Sequence, residues 1–207
     1  LGASFDALER RDPALAEQAI AQDRVVDQMQ HEIEEMVISV IARRQPMADD
    51  LRQVMSALKI IGELERVGDL AKNIAKRSLT IASEAYPKPL VSGLRHMVDL
   101  ALAQLKEVLD AYAGRNAALA LKVWNDDQRI DQTYNSVFRE LLTYMMEDPR
   151  NIGPCTHLLF GAKNIERVGD HTTNIAEMIH FLVVGRTIAD DRPKGDETSS
   201  TLVTSKG

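Results

Sequence analysis

Two acidic motifs with identical spacing are the part of this sequence best suited to chemistry. Glu65 and Asp69 are four residues apart, and Glu166 and Asp170 repeat the pair 166 − 65 = 101 positions later. Side chains four apart are neighbours on one face of an α-helix, where two like charges cost about 0.2–0.5 kcal/mol unless something compensates them. Water with a neighbouring arginine is one compensation, and a bound cation is the other. The motifs therefore predict either charged, solvated helix faces or metal sites.

An internal duplication contains both motifs. Each motif lies in the pentapeptide Glu-Arg-Val-Gly-Asp, and each is followed by Asn-Ile-Ala, which begins at Asn73 and again at Asn174. Nearer the amino end the halves align with a shift of 104, which pairs Asp23 with Asp127. Such a repeat predicts two copies of one structural unit. The change of shift from 104 to 101 predicts a turn region three residues longer in the first half.

Apolar residues recur every three or four positions around both motifs, which is the pattern of amphipathic helices. Asp12 and Asp49 stand where helix N-caps are expected. Leu1 pairs with Leu105 in the repeat, inside the first helix of the second half. The first half is therefore expected to lack part of its first helix. The predicted helices span residues 1–8, 13–44, 49–85, 90–113, 117–146 and 155–185.

The predicted fold is all-α, with two tandem, pseudo-symmetric three-helix bundles, the first without part of its first helix. The first bundle is assigned to residues 1–86, a linker to 87–89 and the second bundle to 90–187. Residues 188–207 are charged, rich in Ser and Thr and without an apolar period, which predicts a disordered tail. Any apolar stripe that the shorter first helix leaves open is expected to need a cover from a domain contact or another chain.

Composition narrows the class of protein. Hydrophobic residues make up 44% of the chain but aromatic ones only 4%, as in helix bundles with aliphatic cores. A net charge of −6 argues against general affinity for nucleic acid or anionic lipid. Cys155 is the only cysteine, so the sequence predicts neither a disulfide framework nor a Cys-rich zinc site. With no membrane-length apolar run and no signal peptide, we expect a soluble, cytoplasmic protein.

Each motif is expected to gain a third carboxylate across a helical hairpin. Asp27 lies 47 − 27 = 20 residues before Met47 in the turn, and Val67 lies 67 − 47 = 20 residues after it, so Asp27 is level with the first motif. Asp131 takes a similar place in the second half. Oxygen ligands of this kind, with an Asn amide, suit Mg²⁺, Mn²⁺, Ca²⁺ or iron rather than zinc in a Cys/His site. The predicted metal ligands are Asp27, Glu65, Asp69, Asp131, Glu166 and Asp170.

Several stretches outside the acidic motifs also match a known family. Residues 42–52, Ala-Arg-Arg-Gln-Pro-Met-Ala-Asp-Asp-Leu-Arg, resemble the first turn of the PhoU family, and the first acidic motif follows at the family's spacing. Residues 142–148 and 164–170 are similar to their family counterparts. The similarity covers nearly all of residues 1–185, and the departure is at the amino end, where the family has more helix. The resemblance implies a six-helix adaptor made of two bundles.

The resemblance also implies a function, partners and a cofactor. PhoU proteins are non-enzymatic negative regulators of phosphate uptake and of phosphate-starvation signalling through a two-component system. The implied partners are the ATPase subunit of the phosphate ABC transporter and the phosphate sensor histidine kinase, which would bring the protein to the membrane only indirectly. Some members bind metal at motifs of this type, so Mn, Mg, Fe or Zn ions are expected here. Oligomers occur in the family, and a homodimer is expected.

A metal-dependent hydrolase or oxidase that uses the duplicated carboxylates is the alternative function. The sequence contains no Gly-rich phosphate loop and no nucleophile–base pair that would favour it. Carboxylates on the outer faces of bundles would also lack the dry setting that strengthens metal catalysis. A third interpretation is a helical scaffold whose acidic faces are solvated and hold no metal.

Overall fold

The computed structural model describes residues 1–84, 86, 88–189, 192, 195–196 and 198. Within these ranges the chain is helical and contains no strand, which confirms the all-α prediction. The helices are α1 (Gly2–Arg10), α2 (Pro13–Arg44), α3 (Asp49–Thr80), α4 (Lys88–Ala113), α5 (Ala117–Asp126), α6 (Gln128–Glu147) and α7 (Ile152–Val184), with a short 3₁₀ helix (Pro149–Asn151) before α7.

The two halves of the repeat fold as two three-helix bundles that lie side by side. α1, α2 and α3 pack together in the first half. In the second half α4 packs with α5, α6 and α7, where α5 and α6 together correspond to α2. The long helices α3 and α7, which contain the acidic motifs, pack against each other, and Val67 and Ile74 of α3 belong to one apolar core with Ile165 and Val168 of α7. One face of each motif helix is therefore fixed by a core that both bundles share.

Local sequence explains the start of α2 and the end of α7. As predicted, Asp12 caps α2, and its carboxylate accepts hydrogen bonds from the backbone N–H groups of Ala14 at 2.9 Å and Leu15 at 3.2 Å. Gly185 ends α7 with a φ of 78°, a conformation that glycine adopts without steric cost.

The predicted cap and the predicted end of α3 are wrong. Ala48, not Asp49, occupies the cap position, and the Asp49 carboxylate pairs with Arg52 of the same helix instead. α3 ends at Thr80, earlier than predicted, and a turn follows. The turn leads to Tyr86, whose buried hydroxyl donates a hydrogen bond of 2.7 Å to a backbone oxygen of α1. This contact with α1 holds the chain beyond α3 against the first bundle, which helical periodicity does not indicate.

The single helix predicted for residues 117–146 is also wrong, because the structure divides it into α5 and α6 at Asp127. The backbone N–H of Ile130 donates to the backbone oxygen of Asp127 at 3.0 Å, whereas the N–H of Asp131 is 3.5 Å from the same oxygen. The shorter step tightens the helix locally. A buried carboxylate marks this point, and the apolar period continues across it, so periodicity does not predict the break.

The three extra residues of the first half lie in its helices and not in its turn. Both connections contain four residues, 45–48 and 148–151. After the repeat shift is subtracted, α2 runs one residue further than α6, to 44 against 147 − 104 = 43. α3 begins two residues earlier than α7, at 49 against 152 − 101 = 51. The predicted longer turn region is therefore a pair of longer helix ends.

α1 is shorter than its counterpart α4, as the repeat predicts, with nine residues against 26. On the hairpin of α2 and α3, Met29 and Met36 are 54% and 58% exposed. A groove of about 530 Å³ runs between the two helices beside Ile33 and Val40. In the second half Val137, the counterpart of Ile33, is buried beneath α4. Within the described residues this apolar face of the first bundle is open, whereas α4 covers the equivalent face of the second bundle.

α4 begins inside the predicted linker 87–89, at Lys88, and residue 87 lies outside the described ranges. Trp124, the only tryptophan of the chain, is buried in the second bundle and donates through Nε1 to Oε1 of Glu177 at 2.9 Å. No described helix combines the length and the apolar character that a membrane crossing requires.

Candidate functional site

The structure gathers the six predicted ligands, with two further aspartates, into two clusters of equivalent composition. The first cluster, between α2 and α3, consists of Asp23, Asp27, Glu65 and Asp69. The second cluster, between the α5–α6 junction and α7, consists of Asp127, Asp131, Glu166 and Asp170. Repulsion from the other three carboxylates reaches Glu65, and repulsion from Asp170 and Asp131 reaches Glu166. Each acidic motif therefore faces carboxylates of the preceding helix.

A glycine inside each motif lets the paired helices approach at the cluster. A Cβ on Gly68 would lie 3.3 Å from Oδ1 of Asp23, and a Cβ on Gly169 would lie 3.1 Å from Oδ1 of Asp127. Contacts this short would force the carboxylate to move. The glycine of each Glu-Arg-Val-Gly-Asp copy thus places an aspartate of the neighbouring helix directly against the motif.

A lysine supplies the positive charge of the first cluster. Nζ of Lys72 lies 2.5 Å from Oδ2 of Asp23 and 3.0 Å from Oδ1 of Asp69. Hydrogen bonds to these carboxylates, with Asp23 first, raise the pKa of the Lys72 ammonium above its ordinary value. Burial, and then the charge of Asp69, raises the pKa of Glu65. Asp27 and Asp69 are exposed, so this cluster is open to water.

The second cluster is more deeply buried. Asp127, Asp131 and Glu166 are only 2%, 4% and 5% exposed. Burial raises the pKa of all three carboxyls, and that of Glu166 rises to about 7 although Lys163 opposes the change. The expectation that both clusters lie on outer helix faces is therefore wrong for this one. α4 covers it on one side, and described residues beyond α7 cover it on the other.

Residues that follow α7 bind three of the four carboxylates of the second cluster. Nη2 of Arg192 lies 2.7 Å from Oδ2 of Asp127 and 2.7 Å from Oδ1 of Asp170, and so bridges α7 and the α5–α6 junction. The backbone N–H of Gly195 donates to Oδ2 of Asp131 at 2.7 Å. Positive charge and a hydrogen-bond donor thus reach this cluster from beyond the last helix.

Lys163 of α7 links the remaining carboxylate to the same residues. Its Nζ lies 2.9 Å from Oε1 of Glu166 and 2.7 Å from Oδ2 of Asp196. Asp196 falls in 188–207, the segment predicted to be disordered. In that segment the structure describes residues 188, 189, 192, 195, 196 and 198, and the others lie outside the described ranges.

Sequence reasoning missed the aspartates nearest to the motif glycines and both of the cations that bind them. The repeat alignment pairs Asp23 with Asp127, so the duplication itself contained the signal for the aspartates. Lys72 aligns with Thr173, and the repeat therefore gave no signal for a cation there. Nothing in the sequence around Arg192 indicates its contacts.

The asparagines of the predicted ligand sets do not behave alike. Nδ2 of Asn174 donates to Oε2 of Glu63 on α3 at 2.9 Å, and Nδ1 of His171 lies 2.7 Å from the same oxygen. Asn174 is thus engaged in the contact between the bundles. Asn73 is exposed.

The donor set of the clusters fits a hard cation, because the candidate ligands are carboxylate and amide oxygens. Oε2 of Glu166 and Oε1 of Gln104 are buried and have no hydrogen-bond partner within the described part of the chain. The Gln104 oxygen lies 3.8 Å from where a Cβ of Gly169 would stand, at the edge of the second cluster. In the observed side-chain positions of the described residues, no three His, Cys, Asp or Glu residues are arranged to hold one ion. Lys72 and Arg192 hold several of these carboxylates instead.

The sequence matches a known family in both bundles. The model of the PhoU domain matches residues 1–78 and 94–179. The chain belongs to the PhoU family. The two matched ranges each contain one cluster, so the duplicated unit of this chain is the PhoU domain and its acidic motif.

Relatives within the PhoU family are similar over most of their length. The chain is 54% identical over 197 residues to the phosphate-specific transport system accessory protein PhoU homolog of Rhizobium meliloti (strain 1021), with 95% of this chain and 83% of the relative covered. It is 52% identical over 194 residues to the homolog of the same name from Caulobacter vibrioides (strain NA1000 / CB15N), with 93% and 84% covered.

Crystal structures of PhoU proteins have the same fold. The structure of PhoU from Pseudomonas aeruginosa superposes with a TM-score of 0.85 at 38% identity, covering 89% of this chain and 88% of that one. The structure of the phosphate transport system regulatory protein PhoU from Streptococcus pneumoniae gives a TM-score of 0.83 at 29% identity, with 90% and 87% covered. The PhoU fold of two helical bundles is thereby established for this chain.

Proposed function

We propose that this protein is an accessory protein that regulates phosphate transport. The observation that carries the proposal is family membership across both bundles. Relatives more than half identical to the chain are named as accessory proteins of the phosphate-specific transport system. The proposal transfers that role to this chain.

More specifically, we propose that the protein is a cytoplasmic adaptor without enzymatic activity. The protein links the ATPase subunit of the phosphate ABC transporter to a sensor histidine kinase and represses the phosphate-starvation response when phosphate is plentiful. It approaches the membrane through these partners. We assign the partner contact to the groove of the α2–α3 hairpin, whose lining includes the apolar side chains of Ile33 and Val40.

A deletion strain with a starvation-response reporter tests the regulatory role. Deletion should switch the reporter on in high phosphate, and the wild-type gene should restore repression. Normal repression of the reporter in the deletion strain would contradict the proposed regulatory role. A pull-down with the transporter ATPase and the sensor kinase, with metal and with chelator, identifies the direct partner.

Paired substitutions test the surface. Met36→Glu places a charge in the groove of the α2–α3 hairpin and should weaken partner capture or dimer formation. Ile38→Glu places the same charge on α2 outside the groove lining, at a residue of similar exposure, 67% against 58%. Equal effects of both substitutions on light-scattering mass and on capture would exclude the groove as the interface.

We further propose that both clusters bind a divalent or trivalent metal cation, Mn, Mg, Fe or Zn. Glu65 and Asp69 with Asp27 would hold one ion, and Glu166 and Asp170 with Asp131 the other. The glycine-mediated approach of the helices supports this at both clusters, and two unpartnered buried oxygens support it at the second. A bound ion would supply positive charge that joins neighbouring helices.

A metal-dependent hydrolase or oxidase is the second candidate, and one observation favours it. The Glu166 carboxyl is buried and its pKa is raised to about 7, a value suited to acid–base chemistry. Against this candidate, Lys163 already binds that carboxylate. A turnover screen with phosphoesters and added Mn²⁺, Mg²⁺ or Fe²⁺ separates the two, since robust hydrolysis favours the enzyme.

A further inference from the structure

Arg192, Gly195 and Asp196, which we call the strap, contact the second cluster from beyond α7. Arg192 is bound to two aspartates, its side chain is only 15% exposed, and the side chain of Asp127 beneath it is 3% exposed. Gly195 is held at both of its backbone polar groups, because Asn135 donates to its oxygen at 2.6 Å while its N–H bonds to Asp131. The strap is therefore a docked structure.

When no metal ion is bound, the buried carboxylates of the second cluster need positive charge from a side chain. Several carboxylates buried together are costly unless positive charge is placed among them. In the first cluster Lys72, which is part of α3, provides that charge. In the second cluster the equivalent position is Thr173. Lys163 of α7 pairs with Glu166, and Arg192 provides the charge at Asp127 and Asp170 from outside the repeated unit.

We propose that the strap is a tethered competitor of the metal ion at the second cluster. Its guanidinium bridges Asp127 of the α5–α6 junction and Asp170 of α7, and Asp170 is a carboxylate assigned to the ion. The Gly195 N–H likewise holds Asp131, a carboxylate assigned to the ion. Metal entry therefore requires the strap to leave, and metal loss allows it to return.

This inference rests on the proposed metal site and adds a quantitative consequence. A ligand that binds only the undocked state has its apparent dissociation constant raised by the inverse of the undocked fraction. If the strap is docked in nine of ten molecules, for example, the second cluster binds metal about tenfold more weakly than the bare site would. In the described part of the chain the first cluster has no contact with the strap, so the strap does not weaken metal binding there.

Calorimetric titration with Mn²⁺ tests the competition in a full-length protein that carries Glu65→Gln and Asp69→Asn, which leaves only the second cluster. Adding Arg192→Gln should tighten Mn²⁺ binding, by about tenfold for a strap that is docked in nine of ten molecules. Arg186→Gln is the matched control, because Arg186 also follows α7 but is exposed and has no side-chain ion pair within the described ranges. It should leave the affinity unchanged.

Hydrogen exchange of the Gly195 amide provides a second readout that needs no substitution. This N–H is bonded to Asp131, so Mn²⁺ should accelerate its exchange in the wild-type protein by displacing the strap. Unchanged exchange with bound Mn²⁺, or equal affinity with and without Arg192→Gln, overturns the competitor and leaves the metal site standing. Absence of Mn²⁺ binding in every variant instead overturns the metal site, and the competition with it.

Discussion

Lys72 and Thr173 occupy the same position in the two halves of the repeat, but only Lys72 forms an ion pair with the neighbouring aspartate. Lys72 places its ammonium against Asp23, whereas Thr173, which lies near Asp127, donates its hydroxyl to the backbone oxygen of Gly169 at 3.0 Å. The first cluster therefore contains a built-in cation, and the equivalent position of the second cluster does not. This difference makes the two clusters chemically unequal despite their matching carboxylates.

Replacing Lys72 with the residue of the other half should make the first cluster a better metal site. Lys72→Thr removes a cation that competes for Asp23 and Asp69, so Mn²⁺ affinity at this cluster should rise. In metal-free protein the substitution should lower the free energy of unfolding by about 1–2 kcal/mol, because a buried aspartate loses its partner. Titration calorimetry and urea unfolding followed by far-ultraviolet circular dichroism measure the two effects.

Lys76→Thr is the control for this exchange. Lys76 lies one turn further along α3 and is exposed, and no ion pair to it is found within the described ranges. The same change there costs only helix propensity. If both lysine substitutions alter Mn²⁺ affinity equally, the ammonium of Lys72 does not compete with metal.

Gly169→Ala should destabilise the protein although alanine favours helices. Its Cβ would lie 3.0 Å from Cδ1 of Ile130 and 3.1 Å from Oδ1 of Asp127, so the α5–α6 junction must shift. We expect a loss of about 1–3 kcal/mol from overpacking, less the roughly 1 kcal/mol that alanine gains in a helix. Gly62→Ala is the control, because a Cβ there meets no atom within 4 Å and should stabilise the protein. Similar thermal stability of both variants would contradict the close approach.

Removal of the second motif should abolish the response of its cluster to metal. Glu166→Ala with Asp170→Ala leaves a cation without ligands on α7. At an ion concentration about 100 times the Kd, wild-type protein gains about 2.7 kcal/mol, which raises the Tm by about 5–10 °C for a chain of this size. The variant should lose the rise in Tm that comes from metal binding at the second cluster. It should also lose the metal ion bound there.

Glu32→Ala with Glu35→Ala removes two exposed carboxylates elsewhere and should retain both responses. A wild-type protein with no metal above background, and with the same Tm in the presence of Mn²⁺ or iron, would leave the motifs as charged helix faces.

Glu63 and His171 should be energetically coupled across the contact between the bundles. Glu63 on α3 receives a hydrogen bond from Asn174 and lies 2.7 Å from the His171 ring, whose side chain is 12% exposed. A double-mutant cycle of Glu63→Ala and His171→Ala should give a coupling energy of roughly 0.5–3 kcal/mol. Additive effects on urea unfolding would mean that the contact contributes nothing to joining α3 and α7.

Features that repeat along the chain were predictable from the sequence. Helical periodicity located α2 and α7 closely, because one apolar stripe is buried along their length. The duplication located the six carboxylates, because a motif and its spacing appear twice. Asp12 could be assigned as a cap from the proline that follows it.

Features that depend on one contact between distant residues were not predictable. The break at Asp127 interrupts no apolar pattern, and Arg192 lies 192 − 127 = 65 positions from the aspartate that it binds. Lys72 has no counterpart in the repeat. In each case the position of a charge is decided by burial of its partner, and burial of a carboxylate leaves no periodic trace in a sequence.

The placement of Trp124 in the second bundle determines which part of the protein intrinsic fluorescence observes. The chain has one tryptophan and four tyrosines, at 86, 112, 134 and 144, so residues 1–84 contain neither. Intrinsic fluorescence and absorbance near 280 nm therefore come from the second bundle and from Tyr86 at its border. The first bundle can melt without an optical signal of this kind. A single fluorescence transition consequently describes half of the molecule, and heat capacity or amide exchange is needed to observe the other half.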